Sequence, residues 1–280
     1  MLSVPALVAA DLAKMALLED LGAGDVTTEA CVLPDATAVA RGNARGPLVV
    51  AAIELAQAAF AAVDPTLSFE TLHDNGSAVD QGATLFVVRG KARSILQAER
   101  VALNFMQRAC GIATVTRRYV EARAPGSGTR ITDTRKTTPG LRAVERAAVR
   151  AGGGHNHRND LGSAVLIKDN HIVSAGGIAS AIERARALAP HTSRIECEVD
   201  TLEGLEQAIA AGADIVLLDN MNDAQVAEAV RINQGRVLLE VSGGITIERV
   251  AALSALGVHA ISVGALTHSV QSADIGLDFE

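Results

Sequence analysis

"RIECEVDTLEGLEQAIAAGADIVLLDN", Arg194 to Asn220, holds one complete turn of the pattern that organises the second half of the chain. Two short β-branched apolar runs, "RIECEVD" and "DIVLLDN", flank a segment of helical periodicity. Thr201 stands where that helix needs an N-cap. Strand, helix, strand with short connections is a βα unit, and such units build parallel sheets or barrels. Working outward, similar runs occur at "RITDT", "AVLIKDN", "VLLEVSGG" and "AISVGA", and the last four runs recur at intervals of roughly 20–25 residues. Thr246 offers a second N-cap. Each run ends in a polar residue or glycine: Asp133 with Arg135, then Lys168, Glu198, Asp219, Ser242 and Gly264. The C-terminal ends of barrel strands and their loops form the active face of such folds. One polar strand end is ordinary; six in succession point to a site.

The first hundred or so residues read differently. "AADLAKMALLEDLG" predicts an amphipathic helix closed by Gly22, and "VAAIELAQAAFAAV" predicts another. Between and after them, "TAVARGNA", "LSFETLH" and "TLFVVRG" alternate like half-buried strands, separated by "DNGS" and "DQG" turns. This is the pattern of a small α+β domain with a mostly antiparallel sheet. A long helical region, residues 92–124, follows, with an interruption expected near Gly111.

Composition narrows the function. The chain has 280 residues, 49% of them hydrophobic, and a net charge of −7 from 32 acidic and 25 basic side chains. With one Tyr, five Phe and no Trp it lacks stacking platforms for single-stranded nucleic acid, and its acidic balance disfavours any general polyanion surface. No apolar run approaches the roughly 18 residues of a membrane span, and the N-terminus lacks the basic region of a signal peptide. Cys31, Cys110 and Cys197 are far apart in sequence, which suits a reducing compartment better than a disulfide framework or zinc site. A cytoplasmic protein is expected.

Against that acidic background, "TDTRKTTPGLRAVERAAVRAGGGHNHR", Thr132 to Arg158, concentrates cations. Arg135, Lys136, Arg158 and Lys168 lie at or just after the earlier strands and so face one mouth, where mutual repulsion implies an anionic ligand. Arg142, Arg146 and Arg150 fall at near-helical spacing and read as a solvated face. His155 and His157 lack a third metal ligand at a compelling spacing. "SGGI" from Ser242 and "SVGAL" from Ser262 put glycines between strand and helix, where backbone N–H groups and a helix N-terminus suit a phosphate. Glu198 and Asp219, on neighbouring strands, suit ribose hydroxyls or a Mg²⁺ carried by substrate phosphates, or else cap and pair with neighbours.

The set "ALLEDLGAGDVTT", "AERVALN", "CGIAT", "DTRKTTPGLR", "AVRAGGGHNHR", "LIKDNHI", "LLDN", "SGGI" and "SVGALTHS" resembles the quinolinate phosphoribosyltransferase family over nearly the whole chain and in the family's order. The resemblance implies a small N-terminal α+β domain, residues 1–108, joined by a C-terminal tail at 270–280, and an open irregular (β/α) barrel at 109–269. It implies a homodimer with shared sites and the joining of quinolinate to phosphoribosyl pyrophosphate with Mg²⁺, giving nicotinate mononucleotide, pyrophosphate and carbon dioxide. By the same resemblance Arg135, His157, Arg158 and Lys168 hold quinolinate, with Lys136 at the pyrophosphate side. Arg100 enters the partner's site, and Glu198 and Asp219 hold ribose and metal. Ser242, Gly243 and Gly264 hold the 5′-phosphate, with His268 close by. Lys136, Glu198 and Asp219 are the expected catalytic groups. Two departures stand out: Asp160 occupies a position where the family has glycine, and "GPLVVA" replaces a glycine-containing turn. The other readings are the paralogue of molybdenum-transport operons, which typically lacks the lysine matching Lys168, and a non-catalytic phosphate-binding barrel.

Overall fold

The computed structural model describes residues 3–280, which form two compact units. The first comprises residues up to Arg117 together with Thr137–Gly153 and Leu266–Glu280. It starts with helices α1 (Ala6–Leu21) and α2 (Val26–Cys31), strands β1 (Thr37–Ala44) and β2 (Leu48–Val49), and helix α3 (Ile53–Val63). Strands β3 (Ser68–Thr71), β4 (Ala78–Val79) and β5 (Thr84–Lys91) lead into α4 (Ala92–Glu121). After α4 come β6 (Arg130–Thr132), α5 (Arg142–Ala151), β7 (Val165–Ile167), α6 (Asp169–Ala175) and α7 (Ile178–Leu188). The chain continues through β8 (Ile195–Val199), α8 (Leu202–Ala210), β9 (Ile215–Asp219), α9 (Asp223–Asn233) and β10 (Leu238–Ser242). It ends with α10 (Ile247–Ala255), β11 (Ala260–Ser262), α11 (Ala265–His268) and β12 (Ile275–Phe279).

In the first unit, β12, β1, β5 and β3 form an antiparallel sheet in that order, and β2 pairs with β4. Alternation along β1 buries Ala40, Gly42 and Ala44, and the rings of Phe60, Phe69 and Phe86 pack with centroids 5.0–6.0 Å apart. Helix α4 runs without a break through Gly111. A side chain there would place its Cβ 2.2 Å from the Gln271 carbonyl oxygen, so this glycine admits a neighbouring backbone rather than ending a helix. Glu145 of α5 is fully buried and satisfied by Arg108 (2.8 Å), the Thr138 amide (3.2 Å) and the Thr138 hydroxyl (2.7 Å). Arg108 also donates to the carbonyls of Thr267 and Val270. This buried charge is tolerable because every oxygen has a donor, and it ties α4, the loop after Thr137 and the segment after α11 together.

The second unit is a six-stranded parallel sheet ordered β6-β11-β10-β9-β8-β7. Both faces of its central strands are buried, as parallel sheets require: Val216, Leu217, Leu218, Leu239 and Val241 are all core. Thr201 caps α8 by accepting the Gly204 amide at 3.1 Å. Thr246 occupies the N-cap of α10, but its hydroxyl bonds to Glu248 rather than capping. Strands β6 and β7 are not paired with each other, so the sheet is open. It is nonetheless curled: His157, following β6, reaches Glu196 on β8 although three strands lie between.

Candidate active site

The strand ends of the second unit carry the chemistry. Past Thr132 the chain leaves β6, and residues 154–157 return beside it: the His155 amide donates to Ile131 O at 2.8 Å and the Asp133 amide to His155 O at 3.1 Å. Asp133, fully buried, accepts the His157 amide (2.7 Å) and the Asn156 side chain (2.6 Å). Those bonds fix the backbone that bears Arg158. Arg158 loses some of its basicity because it is buried and because Arg135 lies nearby, while Glu196 partly restores it. Arg135 Nε is buried and has no hydrogen-bond partner among the described residues. Two guanidinium groups sharing a desolvated place repel each other, and a donor left unmatched there is costly. An anion answers both.

Lys168 begins α6, with its amide donating to His171 Nδ1 at 2.9 Å, and its ammonium is paired with Glu198. Asp219 ends β9 and accepts from the Asn220 side chain at 2.7 Å. Asn220 adopts a left-handed φ of 55°, and its amide donates to Ser242 O at 3.0 Å. Gly243, at φ 87°, lets this happen, since a Cβ there would sit 2.2 Å from Asn220 Oδ1. The turn that carries Asp219 and the turn that carries Ser242 and Gly243 are therefore built as one piece. Gly264 follows β11 and leads into α11, while Lys136 is exposed, its amide donating to Thr134 Oγ1 at 3.1 Å. Arg100, exposed on α4, and His268, exposed at the end of α11 with Nδ1 2.6 Å from Ser269 Oγ, belong to the first unit.

Beneath the cations lies a cluster the sequence reading did not single out. His157 Nε2 is 3.1 Å from Glu196 and 3.5 Å from Glu240, and Ser262 donates to Glu240. Glu196 and Glu240 are buried. Burial pushes Glu240 up to about 7, with help from the Glu196 charge and opposition from His157. Burial alone would depress His157, but the Glu196 hydrogen bond and the charges of Glu240, Glu196 and Asp133 carry it above its ordinary value. Its Nδ1, however, accepts the Arg158 amide at 2.7 Å, which favours the neutral ring with its proton on Nε2. His157 and Glu240 thus compete for one proton. The signal that could have found Glu196 is period two: in "IECEV" it shares the face of Glu198. The three donors lie close enough to ligate a cation, but each is already hydrogen-bonded, so the cluster is no indication of Mg²⁺. A second feature, a cleft of about 520 Å³ beside β7, has a largely apolar wall that includes Val165, Leu166 and Ile167, and Arg158, His171 and Arg184 also line it.

An open parallel α/β barrel whose strand ends gather arginines, a lysine and carboxylates belongs to the class that seats small polyanions at its mouth. Comparison with known proteins narrows the class. The family model "Quinolinate phosphoribosyl transferase, C-terminal domain" matches residues 112–278, and its N-terminal counterpart matches residues 25–110. The chain is 42% identical over 276 residues to the nicotinate-nucleotide pyrophosphorylase [carboxylating] of Mycobacterium leprae, covering 96% of each. It is 42% identical over 286 residues to quinolinate phosphoribosyltransferase [decarboxylating] 1b of Nicotiana tabacum, covering 95% of this chain and 81% of that protein. A solved nicotinate-nucleotide pyrophosphorylase from Francisella tularensis superimposes with a TM-score of 0.94 at 40% identity, covering 99% of this chain and 98% of that one. The chain belongs to the quinolinate phosphoribosyltransferase family.

Proposed function

We propose that this protein transfers phosphoribosyl from phosphoribosyl pyrophosphate to quinolinate with loss of carbon dioxide, yielding nicotinate mononucleotide and pyrophosphate. The observation that carries this reading is the buried, unmatched Arg135 donor beside Arg158, which calls for a ligand of more than one negative charge. Quinolinate brings two carboxylates. Arg135, Arg158 and Lys168 hold them, and taking Lys168 releases Glu198 from its ion pair. Glu198 and Asp219 then face the ribose, where carboxylates stabilise the oxocarbenium-like centre as pyrophosphate leaves. Ser242, Gly243 and Gly264 offer hydroxyl and backbone groups to the 5′-phosphate, and Lys136 answers the pyrophosphate. Hard carboxylate oxygens at adjacent strand ends fit a Mg²⁺ delivered on the substrate's phosphates, and when bound it offsets the charge of the departing pyrophosphate. As the ring nitrogen bonds to C1 of the ribose, the C1–O bond to pyrophosphate breaks and the ring becomes cationic. That cation accepts the electron pair left when carbon dioxide departs, until a proton takes its place. The residues themselves bind, orient and exclude water.

The same reading makes the protein a cytoplasmic homodimer in which Arg100 serves the partner's site. The test of activity is direct. Purified protein with phosphoribosyl pyrophosphate and Mg²⁺ should release carbon dioxide from quinolinate, and removing either should abolish it. Equal or better turnover of nicotinate, without carbon dioxide, would overturn the assignment.

A further inference from the structure

Asn220, the residue after Asp219, holds a backbone conformation that side chains rarely adopt, with φ at 55°. Left-handed backbone is costly for any residue with a Cβ, though least so for asparagine and aspartate. Such residues persist where their surroundings over-determine them, commonly at functional sites. Here the surroundings do so. Asp219 and Ser242 stand opposite each other in the β9–β10 ladder. One residue further on, the Asn220 amide donates to Ser242 O at 3.0 Å, and Arg249 of α10 donates to the carbonyl of buried Met221 at 3.1 Å. With the backbone pinned on both sides, the Asn220 side chain is aimed. Its Nδ2 donates to Asp219 Oδ2 at 2.7 Å, and its Oδ1 turns to Gly243, where a Cβ would come within 2.2 Å of it. An ionised carboxylate only accepts, so the NH₂ end must face Asp219 and the oxygen must face Gly243.

Resting on the reading above that puts Asp219 at the ribose and Ser242 with Gly243 at the 5′-phosphate, we propose that Asn220 is a positioning residue for phosphoribosyl pyrophosphate. Its side-chain amide braces the Asp219 carboxylate against the Ser242–Gly243 turn, so that ribose and phosphate are gripped at a fixed separation, and it does not itself touch the substrate. A carboxylate helps an oxocarbenium-like centre only where its charge is aimed in advance. Holding one Asp219 oxygen stops the carboxylate from rotating and presents the other. Quinolinate, held in the same reading by Arg135, Arg158 and Lys168 at other strand ends, does not depend on this brace.

Asn220→Gly separates the two things the residue does. Glycine adopts left-handed backbone without steric cost, so the bonds to Ser242 and Met221 and the fold are retained while the amide is lost. In steady-state assays of carbon dioxide release, the KM for phosphoribosyl pyrophosphate should rise about tenfold, the size of one lost charge-assisted hydrogen bond, while the KM for quinolinate changes by less than about twofold. An unchanged KM for phosphoribosyl pyrophosphate would mean that Asn220 serves only the backbone turn, and an equal rise for both substrates would mean general damage; either overturns the proposal. Wild-type carbon dioxide release in the same assay separates these failures from failure of the activity itself. A second measurement uses the native chain. A crystal structure with phosphoribosyl pyrophosphate and Mg²⁺ should keep Asn220 Nδ2 within about 3.2 Å of Asp219, with the amide clear of the substrate. An amide that leaves Asp219 to bond ribose or phosphate would make Asn220 a binding residue, and the proposal falls.

Discussion

A carboxylate at position 160 sits two residues after Arg158, where it could compete with substrate for the guanidinium. It turns elsewhere. Asp160 accepts from the Asn159 side chain at 3.0 Å and from the Gly162 amide at 2.9 Å, and its own amide donates to Ser163 Oγ at 3.2 Å. Those bonds, the Asn159 contact foremost, hold its carboxyl below the usual carboxylate range, so it stays ionised but satisfied within its own turn. Asp160→Gly is therefore expected to change the KM for quinolinate by less than about threefold, well under the tenfold that marks a full lost interaction. A tenfold tighter KM in steady-state assays would show that the carboxylate does reach the pocket. Lys168 is the opposite case: it is already paired with Glu198. If it holds quinolinate as proposed, substrate exchanges one carboxylate for another and the lysine's charge stays matched.

The elements were legible from sequence to different degrees, and the differences have physical causes. The parallel strands announce themselves because each is a short β-branched run closed by a polar residue: in the structure Asp219 and Ser242 end their strands, Lys168 directly follows β7, and Glu198 is the last residue but one of β8. Glu196 and Glu240 escaped because they lie inside strands; a polar residue there is read as solvent-facing unless the curl of the sheet, which brings His157 across from β6, is known. Gly111 escaped for a related reason. A glycine within a helical run signals a break when only local conformation is considered, yet here the cause is tertiary, the approach of the Gln271 carbonyl. Gly111→Ala should then leave α4 helical by circular dichroism but destabilise the fold by about 1–3 kcal/mol, the usual penalty of overpacking a tight contact. Unchanged midpoints in urea would mean that the 271–273 segment yields freely and does not constrain the helix.

At the scale of the whole molecule, the chain's acidity and its cationic mouth are compatible because the cations are few and local: net −7 overall, with Arg135 and Arg158 backed by three buried carboxylates. Arg100 stands apart from that economy. It is exposed on α4 beside Glu99, whose carboxylate its charge favours. If it serves the partner's site, each site is made from two chains, and a folded monomer is inactive. Arg100→Ala then removes a charge-assisted hydrogen bond to a dianion, a loss of about 1.5–3 kcal/mol, while Arg135→Ala damages the site from within its own chain. In a mixed dimer, the site on the Arg100→Ala chain has its own Arg135 and receives Arg100 from the partner, so it is whole; the other site carries both lesions. With equal amounts and random exchange, half the dimers are mixed and each has one whole site, so activity should recover to about a quarter of the wild-type sites. Mass spectrometry of differently tagged chains establishes that exchange took place. Exchange without recovery would place the action of Arg100 within its own subunit or remove it from the site altogether, and the two-chain site would have to be given up.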